Sequence, residues 1–104
     1  MAEKKVIWSV RAQNDRYKLL DYWINRNKST SYSIKLNKAF IEAERLIAAH
    51  PEIGKPTDIE DIRIKLIRNC LMIYKISDDD IQILTLKDAR QHPNEVEKVI
   101  QKRK

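Results

Sequence analysis

The first apolar pattern along the chain is an alternation. Val6, Trp8 and Val10 alternate with Ile7 and Ser9, and the run is β-branched and aromatic, which predicts a strand. The period then changes. Arg16, Leu19, Leu20, Trp23, Ile24 and Asn27 fall at helical spacing, with the four apolar members in one stripe. This predicts a helix over 15–27, started by Asn14 or Asp15 as its cap. Ser29, Thr30 and Ser31 form a polar break rich in N-cap residues. After it, Tyr32, Leu36, Ala39, Phe40, Ala43, Leu46 and Ile47 make one apolar face, leaving Lys35, Lys38, Glu42 and Arg45 outside. Pro51 ends this second helix by restricting the residue before it. Two amphipathic helices on a short link form an antiparallel hairpin, and a sheet must cover their stripes.

The second half reads as that sheet. Residues 51–61 carry Gly54 and Pro56 and predict a loop. Ile62, Ile64 and Leu66 alternate with Arg63 and Lys65, giving a strand with an apolar face and a basic face. Arg68-Asn69 is a tight turn. Residues 70–76 are apolar except for Lys75, as in a central strand buried on both sides. Residues 77–80 turn, and 81–86 form another strand. Beyond it, 93–104 predicts a short helix with Pro93 near its first turn and Val96, Val99 and Ile100 on its apolar face. The order is β-α-α-β-β-β in a single domain over 1–104: an α+β fold with a helical hairpin packed on a mainly antiparallel four-stranded sheet. Leu20, Trp23, Leu36 and Phe40 are expected to meet Ile64, Leu66 and Ile73 across that interface.

Composition narrows the chemistry. With 104 residues the chain has room for one modest core. Its single glycine excludes a glycine-rich phosphate loop. Cys70, alone, excludes an internal disulfide and a cysteine-clustered zinc site, and His50 and His92 do not make one, so neither a metal nor a cofactor is expected. No apolar run approaches the roughly 18–20 residues of a membrane span, and Arg11 interrupts the N-terminal apolar stretch before it reaches signal-peptide length. A soluble, cytoplasmic protein is expected. The net charge of +6 points to a polyanionic or acidic partner.

Four stretches carry a likeness to a known family. The first is Asp21-Tyr22-Trp23-Ile24, near the end of the first helix. The second is the segment 46–54, Leu-Ile-Ala-Ala-His-Pro-Glu-Ile-Gly. The third is Ile62-Arg63 followed by Met72-Ile73-Tyr74-Lys75-Ile76. The fourth joins 79–84 to Asp88-Ala89-Arg90-Gln91-His92-Pro93. In this order and spacing, from Val6 to Pro93, the chain resembles the RelE/ParE toxin superfamily of type II toxin–antitoxin systems, which includes plasmid stabilisation proteins. The resemblance implies a growth-inhibiting toxin that a cognate antitoxin neutralises. It also implies one of two targets. A ParE-like toxin inhibits DNA gyrase, the reading taken first here. A RelE-like toxin is a ribosome-dependent endoribonuclease acting on bound mRNA. A third reading is a non-toxic basic module that binds nucleic acid.

The candidate site follows from what RNA cleavage or polyanion binding requires. Attack by a 2′-hydroxyl needs a proton acceptor, cations on the charged phosphorane and a donor for the leaving oxygen. Arg63, Lys65, Arg68 and Lys75 lie in a stretch free of acids, and Arg90 and His92 follow the last strand. These five cations are the expected target- or nucleic-acid-binding residues. His92 is the catalytic candidate if the chain is a metal-independent nuclease, because its ordinary pKa lies near neutrality. Each also has a structural reading. Arg63 and Lys65 fit the polar face of a half-exposed strand, Arg63 fits pairing with Asp58, Glu60 or Asp61, and His92 before Pro93 fits a turn. Tyr74, within an apolar strand, reads as core. The tyrosine that some ribosome-dependent relatives place near the chain end has no counterpart here, since the last is Tyr74.

Overall fold

A computed structural model describes residues 4–89. The chain runs β1 (Lys5–Trp8), α1 (Val10–Asn27), α2 (Ser31–Ala49), a 3-10 turn (Pro51–Ile53), β2 (Lys55–Pro56), β3 (Ile62–Ile67), β4 (Cys70–Ile76) and β5 (Asp80–Asp88). The strands form one sheet in the order β1-β5-β4-β3-β2. Only the β1–β5 pairing is parallel. The expected α+β hairpin-on-sheet architecture therefore holds, with a fifth, two-residue strand added at the edge. The helix expected over 93–104 lies outside the described residues.

The first strand is shorter and the first helix longer than their patterns predict. Ser9 ends the alternation by capping α1: its hydroxyl accepts the Ala12 N–H at 3.0 Å and donates to the Leu84 carbonyl at 3.0 Å. Val10 becomes the first helical residue and is 79% exposed. Asp15, expected as a cap, sits inside the helix with a different task. Past Trp8 the edge of β5 has lost its β1 neighbour. The Asp15 carboxylate accepts the Leu86 N–H at 3.2 Å and the Thr85 hydroxyl at 2.6 Å, satisfying donors at that edge. Beside it β5 carries a bulge, since Tyr74 pairs with Ile83 and Ile73 with Thr85, leaving Leu84 without a partner position.

The hairpin is fixed by two polar links. The buried Ser33 hydroxyl donates to the Leu20 carbonyl at 2.7 Å. Arg16 donates to the Asn37 side-chain oxygen through two nitrogens, at 2.9 and 2.7 Å, and its guanidinium lies 4.7 Å from the centre of the Trp8 ring. Trp8 in turn donates to Glu44 at 2.9 Å. Beneath these links Leu19, Trp23, Leu36, Phe40, Ala43 and Ile47 pack with Ile67, Cys70, Met72, Tyr74, Ile81, Ile83 and Leu86. Phe40 is fully buried, so Phe40→Ala should cost ~3–5 kcal/mol in a thermal or denaturant unfolding measurement.

The sheet residues in that core are not the expected ones. Directly paired residues of an antiparallel ladder share a face. Arg63 pairs with Tyr74, Lys65 with Met72 and Ile67 with Cys70, which places all six on the helix side. Ile62, Ile64 and Leu66 pair with Lys75, Ile73 and Leu71 on the opposite, outer face. The expected contact of the helices with Ile64, Leu66 and Ile73 is thus inverted, and Leu66 is 60% exposed. The physical reason lies in β4: apolar on both faces, it leaves the register free to send either row of β3 toward the helices.

Candidate functional site

Arg63 is held by main chain. Its Nη1 donates to the Gly54 carbonyl at 2.8 Å and to the Glu52 carbonyl at 3.1 Å, drawing the 3-10 turn onto β3. Cross-strand from it, the Tyr74 hydroxyl donates to the Pro51 carbonyl at 2.6 Å and accepts the Gly54 N–H at 3.0 Å. Gly54 permits this approach. A Cβ there would lie 2.6 Å from the Tyr74 hydroxyl oxygen and 2.9 Å from the Ile64 carbonyl oxygen, both too close. Burial pushes the Tyr74 phenol above its usual pKa, against the smaller opposing effects of the Gly54 hydrogen bond and the Arg63 charge. A neutral, buried phenol with both its hydrogen-bonding roles filled anchors a turn.

The remaining cations diverge. Lys65 shares the helix side with Arg63 and lies beside Ala39, Glu42 and Leu46 of α2. Arg68 occupies the β3–β4 turn with a left-handed φ of 54°, and its guanidinium stands 5.8 Å from the centre of the Tyr32 ring. Lys75 is exposed on the outer face, across from Ile62 and Gln82. Five residues of β-rise, about 16 Å, separate Arg63 from Arg68. Arg63, Lys65, Arg68 and Lys75 therefore do not converge on one phosphate. Arg90 and His92 lie outside the described residues.

Sequence reasoning missed the roles of other residues. Arg16 and Asp15, both half-buried, hold the helical hairpin and the edge of β5, and the sign of a charge alone gives no signal for such a role. His50, exposed at the end of α2, closes the helix through its N–H to the Leu46 carbonyl at 2.8 Å. It stands with Lys4, Glu52 and Ile53 at the rim of an open cleft between the 3-10 turn and the end of β4. Lys4 there donates to the Ser77 carbonyl. Among the described residues no three His, Cys, Asp or Glu side chains are grouped to hold a metal ion. No helix there is long and apolar enough to cross a membrane.

Comparison with known structures finds the same fold in other proteins. A chain from the chromosomal ParDE toxin–antitoxin system of P. aeruginosa superposes with a TM-score of 0.70 at 16% identity, covering 83% of this chain and 96% of that one. A chain of the YoeB dimer from Staphylococcus aureus gives 0.56 at 19% identity, covering 83% and 97%. A chain of the E. coli DinJ–YafQ toxin–antitoxin complex gives 0.55 at 10% identity, covering 86% and 96%. At these identities the likeness is one of fold. Comparison of the sequence with curated proteins finds no match. The family model for the ParE toxin of the type II toxin–antitoxin system parDE, however, matches residues 6–93, from the first strand to the proline after the last. A match across nearly the whole hairpin-and-sheet unit settles the family: this chain belongs to the ParE toxins of type II toxin–antitoxin systems.

Proposed function

We propose that this toxin inhibits DNA gyrase by binding it, without cutting RNA, and that a cognate antitoxin with an acidic segment holds it inactive in the bacterial cytoplasm. The observation that carries the target reading is the commitment of Arg63 to two main-chain carbonyls. The cation expected to lead a phosphate site instead braces the 3-10 turn, and its neighbours point to different surfaces. A binding surface tolerates dispersed charge, whereas phosphoryl chemistry needs cations converged on the transition state. Membership of the ParE family supports the same reading. The similar chains from P. aeruginosa and E. coli come from toxin–antitoxin assemblies, and the net charge of +6 suits an acidic partner that folds on binding. The test is induced expression with parallel readouts of DNA supercoiling and messenger cleavage. Loss of supercoiling with intact messenger supports the proposal. Cleavage of ribosome-bound messenger with normal supercoiling overturns it in favour of the endoribonuclease.

A further inference from the structure

The end of α1 and its link to α2 form an exposed run without a single apolar or acidic side chain. Residues 25–31 read Asn-Arg-Asn-Lys-Ser-Thr-Ser, and all are exposed. The β3–β4 turn, Arg68-Asn69, meets this run. The Arg68 guanidinium stands 5.8 Å from the centre of the ring of Tyr32, the residue after Ser31. Lys35, also exposed, follows about 4.5 Å further along α2. Among the described residues no carboxylate pairs with Arg26, Lys28, Lys35 or Arg68. The loops at the other end of the sheet have the opposite charge. Asp58, Glu60 and Asp61 precede β3, and Asp78 and Asp79 follow β4; all five are exposed, and neither loop holds a cation. The pairing of Ile62 with Lys75 and the bond from the Ile76 N–H to the Asp61 carbonyl, at 2.8 Å, bring these loops together. β3 and β4 thus run between an acidic end and a basic end.

Two backbone positions add to the pattern. Lys28 has a φ of 53° and Arg68 one of 54°, a left-handed conformation that glycine adopts freely and other residues rarely. Both positions carry a cation instead. Arginine and lysine together with serine, threonine and asparagine donors are the groups that hold a nucleic-acid phosphate backbone. A protein partner calls for an apolar centre as well, and neither 25–31 nor 68–69 supplies one. A single strand calls for open rings on which bases stack, and the half-buried Tyr32 ring has Arg68 across it. We propose that this end of the molecule binds the phosphate backbone of duplex DNA, with Arg26, Lys28, Lys35 and Arg68 as the cations that meet it. The contact is independent of base sequence. Repulsion of the acidic loops turns the opposite end away from the duplex and so orients the molecule on it. The inference stands on charge and placement and does not depend on the gyrase reading.

Fluorescence anisotropy of a labelled mixed-sequence DNA duplex, titrated with the full-length protein, tests it. Wild type should bind, and log affinity should fall against log salt with a slope of about −3 to −4, roughly −0.9 for each phosphate neutralised. Lys28→Gly/Arg68→Gly removes two cations and relieves both left-handed positions. Its melting temperature should not fall, while its slope should flatten by about 2. Lys35→Ala gives the same test without touching a turn, and should flatten the slope by about 1. Lys55→Ala removes an exposed cation beside the acidic loops and should keep the wild-type slope. Absence of binding at low salt overturns the proposal, and so do folded variants at Lys28, Arg68 and Lys35 that keep the wild-type slope. Duplex RNA and polyglutamate are the competing probes. Tighter binding of either than of DNA overturns the assignment, in favour of RNA in the first case and of an acidic protein in the second.

Discussion

Tyr74 ties one side chain to three segments. It is fully buried in the core, its hydroxyl bonds the 3-10 turn at Pro51 and Gly54, and its cross-strand partner Arg63 bonds the same turn. Tyr74→Phe keeps the ring and strands the Gly54 N–H, so it should cost about 1–3 kcal/mol in chemical unfolding. The phenol also predicts a pH effect. Its folded pKa is raised above 10.0, so the folded state holds its proton to higher pH than the unfolded state. The stability it confers is complete below pH 10 and falls as pH rises through the folded pKa. Unfolding midpoints measured upward from pH 9 should decline more steeply in wild type than in Tyr74→Phe, and equal slopes would remove Tyr74 as the cause. That Tyr74 belongs to the core was legible from its apolar run. The role of its hydroxyl was not, because its partners are main-chain groups 20 and 23 positions away in sequence.

At the scale of elements, periodicity located both helices and the three long strands, since each buries a face and burial imposes its period. It misplaced the β1–α1 boundary, because Ser9 and Asp15 are both good caps and only tertiary structure assigns them. Ser9 sits where β5 offers the Leu84 carbonyl, and Asp15 where β5 offers an unpaired N–H. Asp15→Ala removes the acceptor for Leu86 and Thr85 and should cost about 1.5–3 kcal/mol, as expected of hydrogen bonds to a charged group. Amide exchange at Leu86 should speed up in that variant. Exchange at wild-type rate would mean that the edge finds another acceptor. The inverted face of β3 was likewise not readable. Alternation of Ile62, Ile64 and Leu66 with Arg63 and Lys65 fixes two faces but not their destinations. Each face buries one residue of β3, Ile64 on the outer side and Ile67 on the helix side.

At the scale of the molecule, charge is the property that survives from sequence to function. The excess of 21 lysines and arginines over 15 aspartates and glutamates is carried by exposed side chains on several faces, including Lys35 and Lys38 on α2 and Lys75 on the sheet. Such a field accelerates encounter with an acidic antitoxin more than it strengthens the final complex. Association with the cognate antitoxin should therefore slow markedly between low and physiological salt while dissociation changes little, as stopped-flow mixing would show. A salt-insensitive association rate would remove the charge argument.

The same distinction between cations that build the fold and cations that meet a partner gives the sharpest test of the toxin's action. Arg63 is committed to carbonyls of the turn, so Arg63→Ala should lower the melting temperature, and, if the toxin inhibits gyrase, any loss of inhibition should accompany that loss of stability. Lys75 is exposed on the outer face of the sheet, so Lys75→Glu should leave melting unchanged. If Lys75 contacts the target, inhibition should weaken about tenfold, the equivalent of 1.4 kcal/mol of binding. If Arg90 also contacts the target, Arg90→Glu should weaken inhibition in the same way. His92→Ala separates the mechanisms. A gyrase inhibitor needs no proton transfer, so its supercoiling assay should not register the change. A ribonuclease that uses His92 as its acid or base should lose ~10²–10⁴-fold in cleavage of ribosome-bound messenger. Wild type and the four variants, assayed for supercoiling, cleavage and melting together, assign each residue to fold, contact or chemistry. A His92→Ala chain that loses cleavage while keeping its melting temperature would place the toxin among the nucleases despite the position of Arg63.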